Sequence, residues 1–417
     1  MSTRRLAITF ALMYLVASGC SDEPDSDTGD TGSADGSVAD TADGGPGDAT
    51  DATDAADDAA SETGDIADAG DTSASLSWET CHSDYECTDV EVPLDYETSG
   101  GETMTIPVIR KPAANPSEKI GTVMFNFGGP GASGVTIAAN DMFPLLPVGF
   151  PKIHKRFDVV VVEPRGTAKS SPAVDCLDDT EIDAMRQLDT MPDNESDWNE
   201  LASNWESFVD GCLETHPKKY LAEINTENVV RDMDTVRQKL GEETINFVGI
   251  SYGTYVGALY ANMYPDRVRA FALDSNMHPT RQNLVDHISQ GAGDLRLGLE
   301  QFFDDCGNDD SCPFHGGEGA AAVESALSQL FSELESSPLE LENGRKVTTR
   351  DATMALVATL RDGAHDKLAN ALSDAESGDG QKLMKFADVF WMRNDDGSYG
   401  SFIEAYITNM IADSTCP

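Results

Sequence analysis

The sequence predicts an α/β protein, a mostly parallel sheet with a helical insertion laid over it. Three observations predict this. Short apolar runs bounded by turn residues recur between Trp78 and Ser275, as buried strands do. A segment with helical spacing separates two of them, which argues for strand–helix–strand order and parallel pairing. One run breaks into Gly249-Ile250-Ser251-Tyr252-Gly253 and continues as a helix pattern rich in small residues, the mark of a sharp strand-to-helix turn.

The N-terminus comes before any of this. Arg4 and Arg5 precede an apolar stretch, Leu6 to Val16, and then Ala17-Ser18-Gly19-Cys20. The stretch is too short to span a bilayer and reads as a secretory signal. Small residues directly before a cysteine resemble the bacterial lipoprotein cleavage box, although Ala17 stands where that box usually has Leu. The resemblance implies cleavage before Cys20, lipidation there and a place on the cell envelope. Ser21 favours the outer membrane. Buried acyl chains contribute about 0.8 kcal/mol per CH₂, so several chains hold a protein firmly.

Residues 21–75 contain 17 acidic and no basic residues, no aromatic and no apolar period. Such a segment cannot offset its ordering entropy. It is expected to be a disordered acidic tether between lipid and domain. Its aspartates lack the glycine and glutamate spacing of a calcium-binding EF-hand loop. The whole chain has 417 residues, 40% of them hydrophobic, and a formal net charge of −46. That length supports one sizeable core plus extra segments. The charge argues against nucleic acid or an anionic membrane surface as partner. Residues 76–417 keep 57 of the 74 acids against 26 of the 28 bases, a solubilising surface.

From Trp78 the composition turns globular. "TDVEVPLDY" and "TMTIPVIRKP" predict a hairpin around "SGGE". "IGTVMFNF" and "FDVVVVE" predict buried strands. Residues 226–241 place Val229, Met233, Val236 and Leu240 on one helical face, with Thr226 as the expected cap and Gly241 as the stop. "INFVGI" is a strand, the helix after Ser251 runs to about Tyr264, and "RAFALDS" is one further strand. Residues 280–410 are mostly helical patterns with no convincing buried strand. The expected domains are a signal segment at 1–20, the tether at 21–75, an α/β core at 76–277 and a helical cap at 278–417.

The chemistry gathers at two motifs. Gly249 and Gly253 flank Ser251, because so tight a turn crowds the backbone. The turn lifts the hydroxyl to a helix N-terminus, where negative charge is favoured. "FNFGGPGASG", residues 125–134, follows a buried strand and exposes backbone N–H groups. Acyl transfer needs two such donors for the oxyanion. Gly129, or its neighbour Gly128, would give one and Tyr252 the other, which makes Ser251, Gly129 and Tyr252 the expected catalytic residues. No cofactor and no metal site is expected.

"NFGGPGASG", "FDVVVVEPRGTAKSSPAVDC" and "NFVGISYGTYVGALYANMYPDRVRAFALDS" resemble the secreted tripeptidyl aminopeptidase and prolyl iminopeptidase group of α/β-hydrolases. The resemblance covers about residues 78–415. It implies an α/β-hydrolase-type mostly parallel sheet with a helical cap insertion, and a serine hydrolase that releases short peptides or residues from peptide N-termini. A cap carboxylate would grip the free amine. Glu163, Ala168 and Lys169 depart from the family pattern. In that family an Asp and then a His follow the serine on loops after two further strands. None of His278, His287, His315 and His365 stands in such a place, so the C-terminal strands and the His–Asp pair are expected to be missing.

Cysteine usage fits an oxidising compartment. Cys81 with Cys87, Cys176 with Cys212 and Cys306 with Cys312 are neighbour pairs, and Cys416 is left over once Cys20 is lipidated. An envelope serine peptidase is the leading expectation. A carboxylesterase of the same fold and a non-catalytic surface lipoprotein are the alternatives.

Overall fold

A computed structural model describes residues 76–82, 84–187, 194–278, 284–361 and 363–414. The signal segment, Cys20, the acidic tether and Cys416 lie outside the described residues.

Seven strands form one mixed sheet: β1 (Glu79–Cys81), β2 (Tyr85–Pro93), β3 (Thr103–Lys111), β4 (Gly121–Asn126), β5 (Phe157–Val162), β6 (Ile245–Ile250) and β7 (Val268–Asp274). Their order across the sheet is β1-β2-β3-β5-β4-β6-β7. The hairpin read around "SGGE" is β2–β3, with Val90 opposite Ile106 and Pro93 opposite Thr103. From β5 onward all pairing is parallel: β5 with β4, β4 with β6, β6 with β7. Runs such as Phe157–Val162 carry apolar residues at successive positions because helices cover both faces of that half. β7 is the exception. Among the described residues it pairs only with β6, and none of its own residues is buried.

The chain leaves β4 for β5 on one side, while β6 lies on the other. The C-terminal ends of β4 and β6 therefore sit side by side at the point where strand order reverses, where open α/β sheets place their sites. Asn126 opposes Gly249 in that register. Topology alone thus joins the Gly-rich loop after β4 to the Ser251 turn after β6.

Among the described residues, ten helices of eight or more residues stand in chain order: α1 (Asp179–Arg186), α2 (Glu195–Thr215), α3 (Thr226–Lys239), α4 (Tyr252–Met263), α5 (Leu284–Gly307), α6 (Ala320–Ser336), α7 (Thr349–Arg361), α8 (His365–Glu376), α9 (Gln381–Trp391) and α10 (Phe402–Ala412). In α3 the predicted Val229, Met233 and Val236 are buried, and Gly241 takes φ +72° beyond its end. The cap residue is corrected by one position. Asn225 accepts from the Asn228 N–H at 2.9 Å, so Thr226 is the first helical residue and its hydroxyl is engaged elsewhere.

The region after β7 has its own apolar cluster, with Phe302, Phe331, Leu356, Leu372 and Leu383 among its buried members. It also holds a small hairpin, Leu339–Glu340 with Lys346–Val347, within the segment read as mostly helical patterns. Two-residue strands are too short to leave a periodic signal. α10 packs differently: Ile403 and Ala405 join the cluster under the sheet. A charged network ties the two parts together. The buried Arg186 of α1 reaches Asp351 at 3.1 Å, Asp388 at 3.0 Å and the Tyr399 hydroxyl at 2.8 Å.

Three disulfides join the neighbour pairs: Cys81–Cys87, Cys176–Cys212 and Cys306–Cys312.

Candidate active site

Ser251 sits between β6 and α4 with φ +53° and ψ −121°. A non-glycine residue at positive φ stores about 1–3 kcal/mol and survives only where its surroundings fix it. Here they do. Its N–H donates to the Asp274 carbonyl at 3.0 Å and its carbonyl accepts from the Thr254 N–H at 2.8 Å. A Cβ on Gly249 would stand 2.2 Å from the Gly253 carbonyl oxygen, and one on Gly253 would stand 2.4 Å from that of Asn126. The glycines of the motif are thus required by contact with neighbouring backbone, as the sequence suggested from the turn alone.

The Gly-rich loop arrives against this turn. A Cβ on Gly128 would lie 2.7 Å from the Ile250 carbonyl oxygen, 3.0 Å from Ser251 Cβ and 3.3 Å from the Tyr252 nitrogen. Gly128, Gly129 and Gly131 all have positive φ. The two glycines proposed as donors separate here. Gly128 donates its N–H to Asn126 Oδ1 at 2.9 Å, whereas the Gly129 N–H has no acceptor among the described residues. Of the two, Gly129 is thus the one whose N–H is not used within the loop, and the Tyr252 nitrogen lies beside the same turn.

Glu163 holds the far end of the same loop. It is fully buried and accepts from the Val135 N–H at 2.9 Å, Ser133 Oγ at 3.1 Å, Thr167 Oγ1 at 2.9 Å and the Lys169 N–H at 3.1 Å. One carboxylate thus spans the loop after β4 and the loop after β5. In the sequence, Glu163 stands out only as a departure from the family pattern. The signal that it would be buried was its place at the end of the Phe157–Val162 run.

Beside the loop opens a cleft of about 1090 Å³, lined by Gly131, Ser133 and Lys169 on one side and by Arg345, Lys385 and Asp388 on the other. Asp388 is held by Arg345 at 2.6 and 2.7 Å. Two further carboxylates on the lining, Glu342 and Asp395, are exposed and have no cationic partner among the described residues.

The histidines do not gather at the serine. His315 lies 3.1 Å from Glu376, which raises its pKa, and His365 lies 3.1 Å from Asp305. His278 is exposed on the segment after β7. The side chain of His287 is outside the described residues. Among those described, no imidazole nitrogen is bonded to Ser251 Oγ. No group of acidic, histidine or cysteine side chains among them is placed to hold a metal ion.

A third element meets the site. On α10, the Phe402 carbonyl oxygen and the Tyr406 nitrogen stand 2.4 and 2.7 Å from where a Cβ on Gly131 would lie. Glu404 accepts from the Cys176 and Leu177 N–H groups at 2.7 and 2.8 Å. Burial pushes its carboxyl up to about 7, against the pull of those two donors and with Asp175 and Asp179 adding to the rise. Just past α10, Asp413 accepts from the Thr226 N–H at 2.8 Å and from the Thr226 hydroxyl.

Comparison with known proteins agrees with the geometry. The α/β hydrolase fold family matches residues 121–316. Serine protease Hip1 of Mycobacterium tuberculosis is 30% identical over 328 residues, 77% of this chain and 62% of that protein. Carboxylesterase B of the same species is 31% identical over 353 residues, 82% of this chain and 66% of that one. Tripeptidyl aminopeptidase of Streptomyces lividans is 33% identical over 218 residues, 51% and 40% of the two chains. The chain spans about three fifths of the length of the Hip1 protein it matches. No described helix is long and apolar enough to cross a membrane. By fold, motif and sequence, the chain belongs to the α/β-hydrolase family, in the company of serine peptidases and a carboxylesterase.

Proposed function

We propose that this chain is a serine hydrolase of the cell envelope that releases short peptides or residues from peptide N-termini through an acyl-enzyme on Ser251. One observation carries the reading: Ser251 is held at φ +53° against the Gly128–Gly129 turn. Such strain at a nucleophile position is a functional signature rather than a folding device. In the reaction, Ser251 Oγ bonds to the scissile carbonyl carbon, whose oxygen takes the charge. The Gly129 and Tyr252 N–H groups bind that oxygen. The C–N bond then breaks and the amine leaves with the proton that Ser251 Oγ gave up, and water hydrolyses the ester, its hydroxyl going to the acyl carbon and its other proton back to Oγ. Losing one oxyanion donor costs about 3–4 kcal/mol of transition-state stabilisation.

Peptide substrates are favoured over simple esters by the cleft. Glu342 and Asp395 are carboxylates free to receive an α-ammonium group, and Hip1 and the tripeptidyl aminopeptidase are peptidases by name. The proton steps need a base, and no described histidine reaches Ser251. The proposal therefore includes an incomplete triad and a rate several orders of magnitude below that of a complete one. Attachment to the envelope through lipidated Cys20, on the outer membrane or the periplasmic face, is the accompanying proposal, supported by the residues before that cysteine.

A fluorophosphonate probe tests the nucleophile. Labelling that disappears in Ser251→Ala supports the reading. No Ser251-dependent labelling of the wild-type chain, on incubation long enough to register a nucleophile several orders of magnitude slower than that of a complete triad, refutes it and leaves the non-catalytic lipoprotein. Tripeptidyl and aminoacyl anilides compared with short acyl esters separate peptidase from carboxylesterase.

A further inference from the structure

The two halves of the oxyanion site come from different strands, and each is linked to α10, one by direct contact and the other through Thr226 and Asp413. At its start, α10 lies backbone to backbone on Gly131 of the loop that carries Gly129, with the Phe402 carbonyl oxygen 2.4 Å from a Cβ placed there. Beyond its end, Asp413 binds Thr226, and Thr226 Oγ1 lies 2.6 Å from the Tyr252 hydroxyl. Thr226 and Tyr252 are each only 1% exposed.

The hydrogens in this chain can be assigned. A hydroxyl has one proton to give. The Thr226 hydroxyl gives its proton to the Asp413 carboxylate, which accepts only. Tyr252 must then donate to Thr226. The direction is Tyr252 to Thr226 to Asp413, and Tyr252 is the residue whose amide follows the nucleophile. Between the two ends, Glu404 fixes α10 to the Cys176–Leu177 backbone and Asn409 reaches the Ile224 carbonyl at 3.5 Å.

We propose that α10 is a splint that sets the two oxyanion donors relative to each other, and that Asp413 is its positioning residue, acting on Tyr252 through Thr226. Asp413 touches no reacting atom. It fixes the ring of Tyr252, hence the orientation of the first turn of α4, while Gly131 fixes the other donor on the same helix. Neither contact is local in sequence. This rests on the hydrolase reading for its consequence in catalysis, but not for its consequence in backbone order.

The test uses the full chain in four forms: wild type, Asp413→Ala, Asp413→Asn and Tyr252→Phe. Amide hydrogen exchange is followed over residues 127–134 and 250–255, with β2–β3 as internal reference. Asp413→Ala is expected to speed exchange in 250–255 at least fivefold and leave β2–β3 unchanged. Asp413→Asn stays within about twofold of wild type. Its amide oxygen still accepts the Thr226 N–H, and its amide nitrogen donates to the Thr226 hydroxyl, so the chain reverses without breaking. Tyr252→Phe lacks only a hydroxyl, follows Asp413→Ala, and carries the test if the alanine variant does not melt cooperatively. In fluorophosphonate kinetics, Asp413→Ala lowers the maximal inactivation rate at least tenfold while the reversible binding constant stays within twofold. Wild-type exchange in both Asp413→Ala and Tyr252→Phe overturns the proposal, as does an Asp413→Asn variant as damaged as the alanine. An unlabelled wild-type chain refutes the hydrolase reading alone, and exchange then decides the splint.

Discussion

Asn126 Oδ1 takes the Gly128 N–H at 2.9 Å, and this bond separates two adjacent glycines into one whose N–H is used within the turn and one whose N–H is not. Gly128 shapes the turn, and in the proposed reaction Gly129 presents the amide. Asn126→Ala leaves the Gly128 N–H without its acceptor, at a cost of about 1–3 kcal/mol. Labelling of Ser251 is expected to fall several-fold, with Asn126→Asp closer to wild type because it keeps the acceptor. Stopped probe reactions at fixed times check this.

Gly253→Ala puts a methyl 2.4 Å from the Asn126 carbonyl oxygen. Backbone cannot yield as a side-chain tip does. Overpacking of this kind costs about 1–3 kcal/mol, and β4 and α4 are pushed apart where the site lies. The expected result is a lower midpoint in urea together with loss of Ser251 labelling.

Glu404 gives the fold a pH dependence of its own. Burial raises its carboxyl from 4.5 in the unfolded chain to about 7 in the native state. Between those values the folded protein holds a proton that the unfolded chain has lost. Stability from this group is full below about 4.5 and is lost as pH rises through about 7, some 3 kcal/mol at about 1.4 kcal/mol per pKa unit. Glu404→Gln keeps an oxygen for the Cys176 and Leu177 N–H groups and cannot ionise. Urea midpoints for the variant should stay flat from pH 5 to 8 where those of the wild type decline.

The Cys176–Cys212 bridge closes a loop of 36 residues. Chain entropy assigns such a loop about 4 kcal/mol. The loop carries α1, whose Arg186 joins Asp351 and Asp388. Cys176→Ala with Cys212→Ala is expected to lower the calorimetric Tm by several degrees, and reductant should then have less effect than on the wild type.

What the sequence disclosed, and what it concealed, divides along sequence distance. The Ser251 turn, the Gly128–Gly131 loop, α3 and the β2–β3 hairpin were legible because their constraints are local: a tight turn demands glycine where it occurs, and a buried face repeats with its element's period. The cap at Asn225 was missed by one position because Thr226 is as good a capping type, and only the hydroxyl's distant partner tells them apart. The Glu163 bonds to the neighbouring loop, the Glu404 bonds to Cys176 and Leu177, and the Asp413–Thr226 pair join residues from 28 to 228 positions apart. No periodicity carries such information. The same holds for the choice between Gly128 and Gly129, which depends on one side-chain rotamer of Asn126.

The bare flank of β7 has a consequence beyond catalysis. From Val268 to Asp274 a row of amides and carbonyls has no ladder partner on that side among the described residues, and the cation within it, Arg269, is turned back to Asn246. With its other charge, the exposed Asp274, at the end of the strand, most of this border is a template for an extended polypeptide that comes alongside. Copies of the chain that meet there are expected to pair edge to edge, which light scattering checks as a particle size that rises with concentration.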